Sequence, residues 1–276
     1  MKLTIITINY NHLDGLRKTY ESVMAQTFRD FEWIVIDGGS TDGSREFIEA
    51  HQTSFAHWCS EPDKGVYNAM NKGIVVANGE YLNFMNSGDV FFDERSLETV
   101  FSASRKADIV YGAMLMADGS LDHVPMMKPR LYWSDFYNDT LPHQASFIHR
   151  SLFNKVGLYD ETFKISAEWF FFANAFIHHG ATTEFIPAVL ARFEGSGISA
   201  NGALAIKENE RLRKEVFGAY LVPNYERTKF FETIHRHRPL AIIQTILYRL
   251  ACWIDSLTNR TPRIVGYNPT ASKILQ

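Results

Sequence analysis

Cysteine is nearly absent from this chain. Only Cys59 and Cys252 occur in 276 residues, and their separation matches no metal-ligand spacing. A reduced, cytosolic setting is the simpler reading of so few thiols, while a disulfide between them stays open from sequence. Long apolar runs are missing too. No uninterrupted stretch of about 18 apolar residues occurs, which argues against a spanning helix. The opening segment, residues 1–6, carries one basic residue and a very short apolar run, so it lacks the make-up of a secretory leader. The sequons at Asn138 and Asn259 are accordingly read as chance. An excess of basic charge is lacking as well. The formal net charge is −3, so nothing in bulk points to nucleic acid. No internal repeat or low-complexity tract is visible.

What is present is ordinary in bulk. Apolar residues make up 46% and charged residues 21%, as in a globular protein. The length suits one large α/β domain with an appendage, or two small domains. Aromatics reach 14%; many follow residue 130, which hints at a groove or a membrane-facing region there. The pattern predicts strands over 3–8, 31–37, 55–60, 81–85 and 109–111. Helices are expected over 14–25, 43–51, 65–76 and from Asp93 to Phe101. Strands alternating with helices of this length indicate βαβ units on a parallel sheet. Pattern weakens over 112–145, where Asp118-Gly119 suggests a hairpin. Residues 150–156 and 166–179 look helical, the chain is helix-rich from 203 to Leu257, and residues 260–276 lack periodicity.

The most informative stretch is Ile34-Val-Ile-Asp37-Gly-Gly-Ser-Thr-Asp-Gly-Ser44. An apolar strand runs into an acid, a glycine turn and a helix start. In open α/β sheets, ligands bind at the carboxyl ends of the strands. Asp37 therefore suggests a nucleotide site. Glu61 and Asp63 follow the third strand, and Asp89 follows the fourth. On a parallel sheet these carboxylates share one edge and repel each other. A divalent cation or a cationic substrate relieves that, and oxygen ligands suit Mg2+ or Mn2+ with substrate phosphates.

Residues 3–11 and 34–44, the run Ser60-Glu-Pro-Asp63-Lys-Gly-Val-Tyr-Asn-Ala-Met-Asn-Lys72-Gly73, and the turn Asn86-Ser87-Gly88-Asp89 together resemble glycosyltransferase family 2. The resemblance covers roughly residues 1–200. It implies a GT-A fold: a Rossmann-like α/β domain with a mostly parallel sheet flanked by helices. A catalytic domain is expected over 1–202, with a nucleotide-sugar half over about 1–112 and an acceptor half over 113–202. A helical extension follows over 203–276. It further implies inverting transfer of a sugar from a nucleotide-diphosphate donor to a hydroxyl acceptor, of the kind that builds bacterial surface polysaccharide. UDP is the default donor nucleotide, with GDP and dTDP as alternatives, and a glycan or lipid-linked acceptor is expected.

By resemblance, Thr7, Asn9, Asp37 and Asp63 contact the nucleotide, Lys72 lies near the diphosphate, and Ser87 and Gly88 line the donor turn. Asp89 matches the metal-binding acid, although the family often has two or three acids in this turn. Glu168 matches the base that takes the acceptor proton, where Asp is more usual. His143 and Gln144 match an acceptor-side segment, where contact with the acceptor or with the diphosphate is expected. Trp169 is a sugar platform or a core residue, with core packing at least as well supported. Residues 192–199 look like a glycine loop closing on the diphosphate. Arg236, Arg238 and Arg249 flank an apolar stretch with Tyr248 and Trp253. That pattern over 236–257 suits a membrane surface or a helix packed on protein. The expected location is cytoplasmic, with peripheral contact on the inner face of the plasma membrane. A rival reading of another class is a nucleotide-sugar-binding subunit without catalysis. A nucleotidyltransferase ranks low, since residues 9–17 supply no glycine- and arginine-rich phosphate loop.

Overall fold

Four strands of near-continuous apolar sequence build the first half of the sheet. They are β1 (Leu3–Asn9), β2 (Phe31–Asp37), β3 (His57–Ser60) and β4 (Tyr81–Phe84), separated by α1 (Leu13–Met24), α2 (Ser44–Ala50) and α3 (Val66–Val76). The computed structural model describes residues 1–117, 123–125, 128–193 and 204–218. β1 pairs in parallel with β2 and β4, and β2 with β3. Helices cover both faces, so inner strands bury alternate and intervening residues alike. All of β1 is buried, and β2 is buried from Glu32 onward. Leu3, Ile5, Trp33 and Val35 pack against Leu16 and Val23 of α1, Ile48 of α2 and Phe55. Glu32 is the charged exception. Its carboxylate accepts hydrogen bonds from Thr4 Oγ1 and Asn78 N at 2.6 Å and from Gly79 N at 3.2 Å.

The second half comprises β5 (Val90–Phe91), α4 (Ser96–Phe101), β6 (Ile109–Met116), α5 (Trp133–Asn138), β7 (Ser146–His149), α6 (Ser151–Val156), α7 (Ala167–His178) and β8 (Thr183–Phe193). The order across the eight-stranded sheet is β3-β2-β1-β4-β7-β6-β8-β5. β7 runs antiparallel to both β4 and β6, β8 parallel to β6, and β5 antiparallel to β8. The sheet is thus parallel on one side of β4 and mixed on the other. Among the described residues, the aromatics after residue 130 mostly fill a core. Phe136, Phe147, Phe163, Phe171 and Phe172 are all at most 2% exposed, and Phe153 stacks on Phe171 with ring centroids 4.6 Å apart. Tyr132 and Trp133 are the exposed exceptions among them.

The strands expected from the pattern are present, and β6 runs five residues beyond its expected end, from Tyr111 to Met116. β5, β7 and β8 were not expected. β5 has two residues and β7 four, too short for a periodic signal. β8 contains Pro187, and its register against β6 shifts between Tyr111 and Ala113 and again before Met114. The Asp118-Gly119 hairpin lies outside the described residues, but Met116 and His123 on either side of it exchange backbone hydrogen bonds of 2.8 and 3.0 Å. The glycine loop from Glu194 and the stretch 236–257 also lie outside the described residues. The chain divides into units Met1–Asn209 and Glu210–Gln276. The second is described only over 210–218, which is helical. Among the described residues no helix is long and apolar enough to cross a membrane.

Candidate active site

The parallel register aligns Asn9, Asp37 and Ser60 in one row at the carboxyl ends of β1, β2 and β3. Asp37 is fully buried. It accepts hydrogen bonds from Asn9 Nδ2 (2.7 Å), Ser40 Oγ (2.5 Å), Ser60 Oγ (2.6 Å), Ser40 N (2.9 Å) and Gly39 N (3.2 Å). Burial pushes this carboxyl up, but the hydroxyls of Ser40 and Ser60, then Asn9 and the Ser40 N–H, outweigh it and hold the group below its ordinary range. Asp37 thus spends its carboxylate, and Asn9 its Nδ2, on the loop itself, while Asn9 Oδ1 is buried without a partner. Asn11, at φ 48°, completes the lock: its N–H donates to Ser40 Oγ and its Oδ1 accepts from Thr41 N. Thr7 is also fully buried, donating to Met85 O and accepting from Trp33 Nε1. Its hydroxyl is engaged inside the sheet, so any ligand contact at Thr7 falls to the backbone.

The surface left for a ligand lies one step outward. Tyr10 is 66% exposed. A Cβ on Gly38 would stand 2.7 Å from Asp63 Oδ2 and 3.1 Å from Tyr10 Cδ2. Glycine at 38 therefore lets the Asp63 carboxylate and the Tyr10 ring each close in on the β2 loop. Asp63 Oδ1 accepts from Gly65 N at 2.8 Å. Tyr10 was missed from sequence. Its signal was an aromatic directly after a strand at the binding edge, where the ring has no core to enter.

The turn after β4 is held from beneath. Thr19 Oγ1 donates to Asp89 O at 2.8 Å and accepts from Gly88 N at 3.0 Å. Gly88 sits at φ +99°, and a Cβ there would be 2.9 Å from His12 Cε1, so this position needs glycine twice over. His12 Nδ1 lies 3.2 Å from Ser87 O. Asp89 is 6% exposed, and Gln144 Nε2 donates to its Oδ2 at 3.2 Å. Gln144 is buried and orients this acid.

His143 links the turn to α7. It stands on the 3₁₀ turn His143–Ala145. Its Nε2 is 3.2 Å from Asn86 Nδ2 and 3.8 Å from Asp89 Oδ2, and its Nδ1 is 3.4 Å from Glu168 Oε1. Burial pushes the imidazole down, but Asp89 and Glu168 outweigh burial and raise it above its ordinary value. An imidazolium donates from both nitrogens. Asn86 Oδ1 is buried without a partner. Glu168, in the first turn of α7, is 12% exposed on its side chain. Its Oε2 accepts from the Tyr67 hydroxyl.

Other expected residues fall elsewhere. Trp169 is 8% exposed, and its Nε1 donates to Phe136 O at 2.6 Å. It is a core residue with little ring surface left for a sugar. Lys72 pairs with Glu61 at 2.7 Å. The two line a groove of about 480 Å³ with His57, Cys59, Asn68 and Leu158, apart from Asp89, His143 and Glu168. Helix phase explains it. Five residues turn α3 by about 140° net from Tyr67, so Lys72 faces away from the base. The four strand-end acids therefore do not share one cation. Asp37 has its five donors, Glu61 has Lys72, Asp63 lies over Gly38, and Asp89 alone remains with Gln144 and His143.

Among the described residues no group of three His, Cys, Asp or Glu side chains is arranged to hold a metal. The donor set at the turn nevertheless fits a hard cation. It offers the Asp89 carboxylate and the unpartnered Asn86 Oδ1, both oxygens, with the remaining positions open to phosphate and water.

The family model described as glycosyl transferase family 2 matches residues 4–179. An uncharacterized glycosyltransferase of Mycobacterium tuberculosis is 37% identical over 206 residues, covering 72% of this chain and 77% of that protein. A PGL/p-HBAD biosynthesis glycosyltransferase of Mycobacterium bovis is 28% identical over 210 residues, covering 72% and 78%. Among solved structures, TarS 1–349 of S. aureus superposes with TM-score 0.61 at 19% identity, covering 70% of this chain and 60% of that one. This chain thus spans less than two thirds of TarS 1–349. The same TarS fragment in complex with UDP-GlcNAc gives 0.61 at 18% identity, with 71% and 59% covered. The mannosyltransferase PcManGT of Pyrobaculum calidifontis, in complex with GDP-Man and Mn2+, gives 0.52 at 15%, with 94% and 88% covered. With a family model over residues 4–179 and a relative 37% identical over 206 residues, the chain belongs to glycosyltransferase family 2: it is a glycosyltransferase on the GT-A fold.

Proposed function

We propose that this enzyme moves a glycosyl group from a nucleoside-diphosphate sugar to an acceptor hydroxyl, with inversion at the anomeric carbon. The observation that carries the reading is Glu168. It is a nearly enclosed carboxylate on the acceptor side, joined through His143 to the Asp89 turn on the donor side. In the reaction the acceptor oxygen bonds to the anomeric carbon, its proton passes to Glu168, and the bond to the diphosphate oxygen breaks with its electron pair. Tyr10 offers a face for the base and Asp63 an acceptor for its N–H or for a ribose hydroxyl. Asp37 and Asn9 hold the loop that presents them. A divalent cation, Mg2+ or Mn2+, bound by Asp89 with Asn86 would offset the charge on the leaving diphosphate. The complexes of TarS with UDP-GlcNAc and of PcManGT with GDP-Man and Mn2+ support a nucleotide-sugar donor and a metal. The Mycobacterium bovis relative is a PGL/p-HBAD biosynthesis glycosyltransferase, and a glycan or lipid-linked acceptor reached peripherally at the membrane fits a biosynthetic role of that kind.

Calorimetric titration with UDP, GDP and dTDP sugars, with and without Mn2+, tests the reading. One nucleotide is expected to bind, and more tightly with Mn2+. Absence of binding by all three under both conditions would overturn it.

A further inference from the structure

The run Tyr67-Asn68-Ala69-Met70-Asn71 follows the nucleotide-side acid Asp63, yet its polar side chains turn the other way, toward the acceptor half. Tyr67 is 3% exposed and its hydroxyl donates to Glu168 Oε2. The phenol thus ties α3 to the first turn of α7. One turn further along α3, on the same face, Asn71 makes a two-point clamp: Nδ2 donates to Tyr159 O at 2.9 Å and Oδ1 accepts from Tyr159 N at 3.0 Å. Asn68 and Asn71 both donate to Glu161. The far side of the same segment is held independently. The Glu208 carboxylate accepts from the N–H groups of Lys164, Ile165 and Ser166 at 2.7, 2.9 and 3.0 Å, placing negative charge at the N-terminus of α7.

We propose that Tyr67 is a positioning residue for the acceptor-activating base, fixing one oxygen of Glu168 so that the other faces His143 and the acceptor. The proposal rests on the reading of Glu168 as that base. A carboxylate on a free side chain samples several rotamers, of which few place an oxygen on the acceptor proton. The phenol removes that freedom from one end. Burial, and then the Glu168 charge, push the phenol far above its ordinary value, so it stays a donor throughout the working pH range. Asp63 and Tyr67 stand four residues apart across the start of α3. The loop that meets the donor is therefore continuous with the side chain that sets the base.

The test uses Tyr67→Phe in the full chain. The ring stays packed on Tyr159 (centroids 5.8 Å apart), and Glu208 and Asn71 still hold the segment, so a thermal melt close to wild type is expected. The variant should lose about tenfold to a hundredfold in kcat with unchanged affinity for the nucleotide that binds the wild type. In a Glu168→Gln background the same change should remove nothing further. A kcat within about twofold of wild type, or an equal loss in both backgrounds, would overturn the positioning role. Wild-type turnover by Glu168→Gln alone would overturn the base assignment and this proposal with it. A full loss in Glu168→Gln beside none in Tyr67→Phe overturns the positioning role only.

Discussion

The two halves of the sheet build their parts of the site by opposite means. In the parallel half, strand ends and turns supply the residues, and each polar group is locked to a neighbour a few residues away or one strand across. Asp37 bonds to Gly39, Ser40, Ser60 and Asn9. In the mixed half, His143 and Glu168 come from a 3₁₀ turn and a helix start, and they meet groups far away in sequence. Glu168 meets Tyr67 at a separation of 101 residues, and Gln144 meets Asp89 at 55. Local locks make a rigid donor platform. Long-range contacts make the catalytic geometry depend on how the two halves close on each other.

That contrast can be broken first at Asp37. Asp37→Ala leaves two hydroxyls, an amide and two backbone N–H groups without their buried acceptor. Each unsatisfied group costs about 1–3 kcal/mol before relaxation, and a net loss of about 3 kcal/mol is expected. Urea unfolding measures it, and a loss below about 1 kcal/mol would show that the loop is not locked as described.

The next largest effect concerns pH. Burial pushes the Glu32 carboxyl up, but its bonds to Thr4, Asn78 and Gly79 outweigh burial and hold it below its ordinary value of 4.5. A carboxyl lowered by folding adds stability that is present above its unfolded value and is lost as pH falls through the folded value. The wild type should therefore lose melting temperature below about pH 4.5, and Glu32→Gln should lose less over the same interval. Equal slopes would contradict this. The smallest effect is expected at Lys72. Its ion pair with Glu61 is partly exposed, at 29% and 60%, where such pairs contribute about 0–1 kcal/mol. Lys72→Met should keep nucleotide affinity and turnover within about twofold; a tenfold loss of affinity would return Lys72 to the diphosphate.

The same contrast explains what could be read from the sequence. β1 and β2 announce themselves because burial on both faces forces apolar runs, and Asp37 with Gly38 and Gly39 marks their end. Asp63 and Asp89 follow from the same logic. The mixed half resists such reading. β7 is four residues long and β8 carries Pro187, so neither shows a period. Trp169 and Glu168 are neighbours in sequence, but helix geometry sends one into the core beside Phe136 and the other to His143. Resemblance alone puts Lys72 near the diphosphate, whereas α3 turns it about 140° from Tyr67, where it pairs with Glu61. Tyr67 carries no signal in a single sequence, since a tyrosine in an amphipathic helix reads as core.

The most direct test of the account is Glu168→Gln, measured for both turnover and nucleotide-sugar binding. The variant keeps the shape of the site and removes the proton acceptor. Turnover should fall by about a hundredfold to ten-thousandfold with binding of the donor unchanged. Retained turnover would contradict the assignment of Glu168 as the base and the picture of two halves meeting at it.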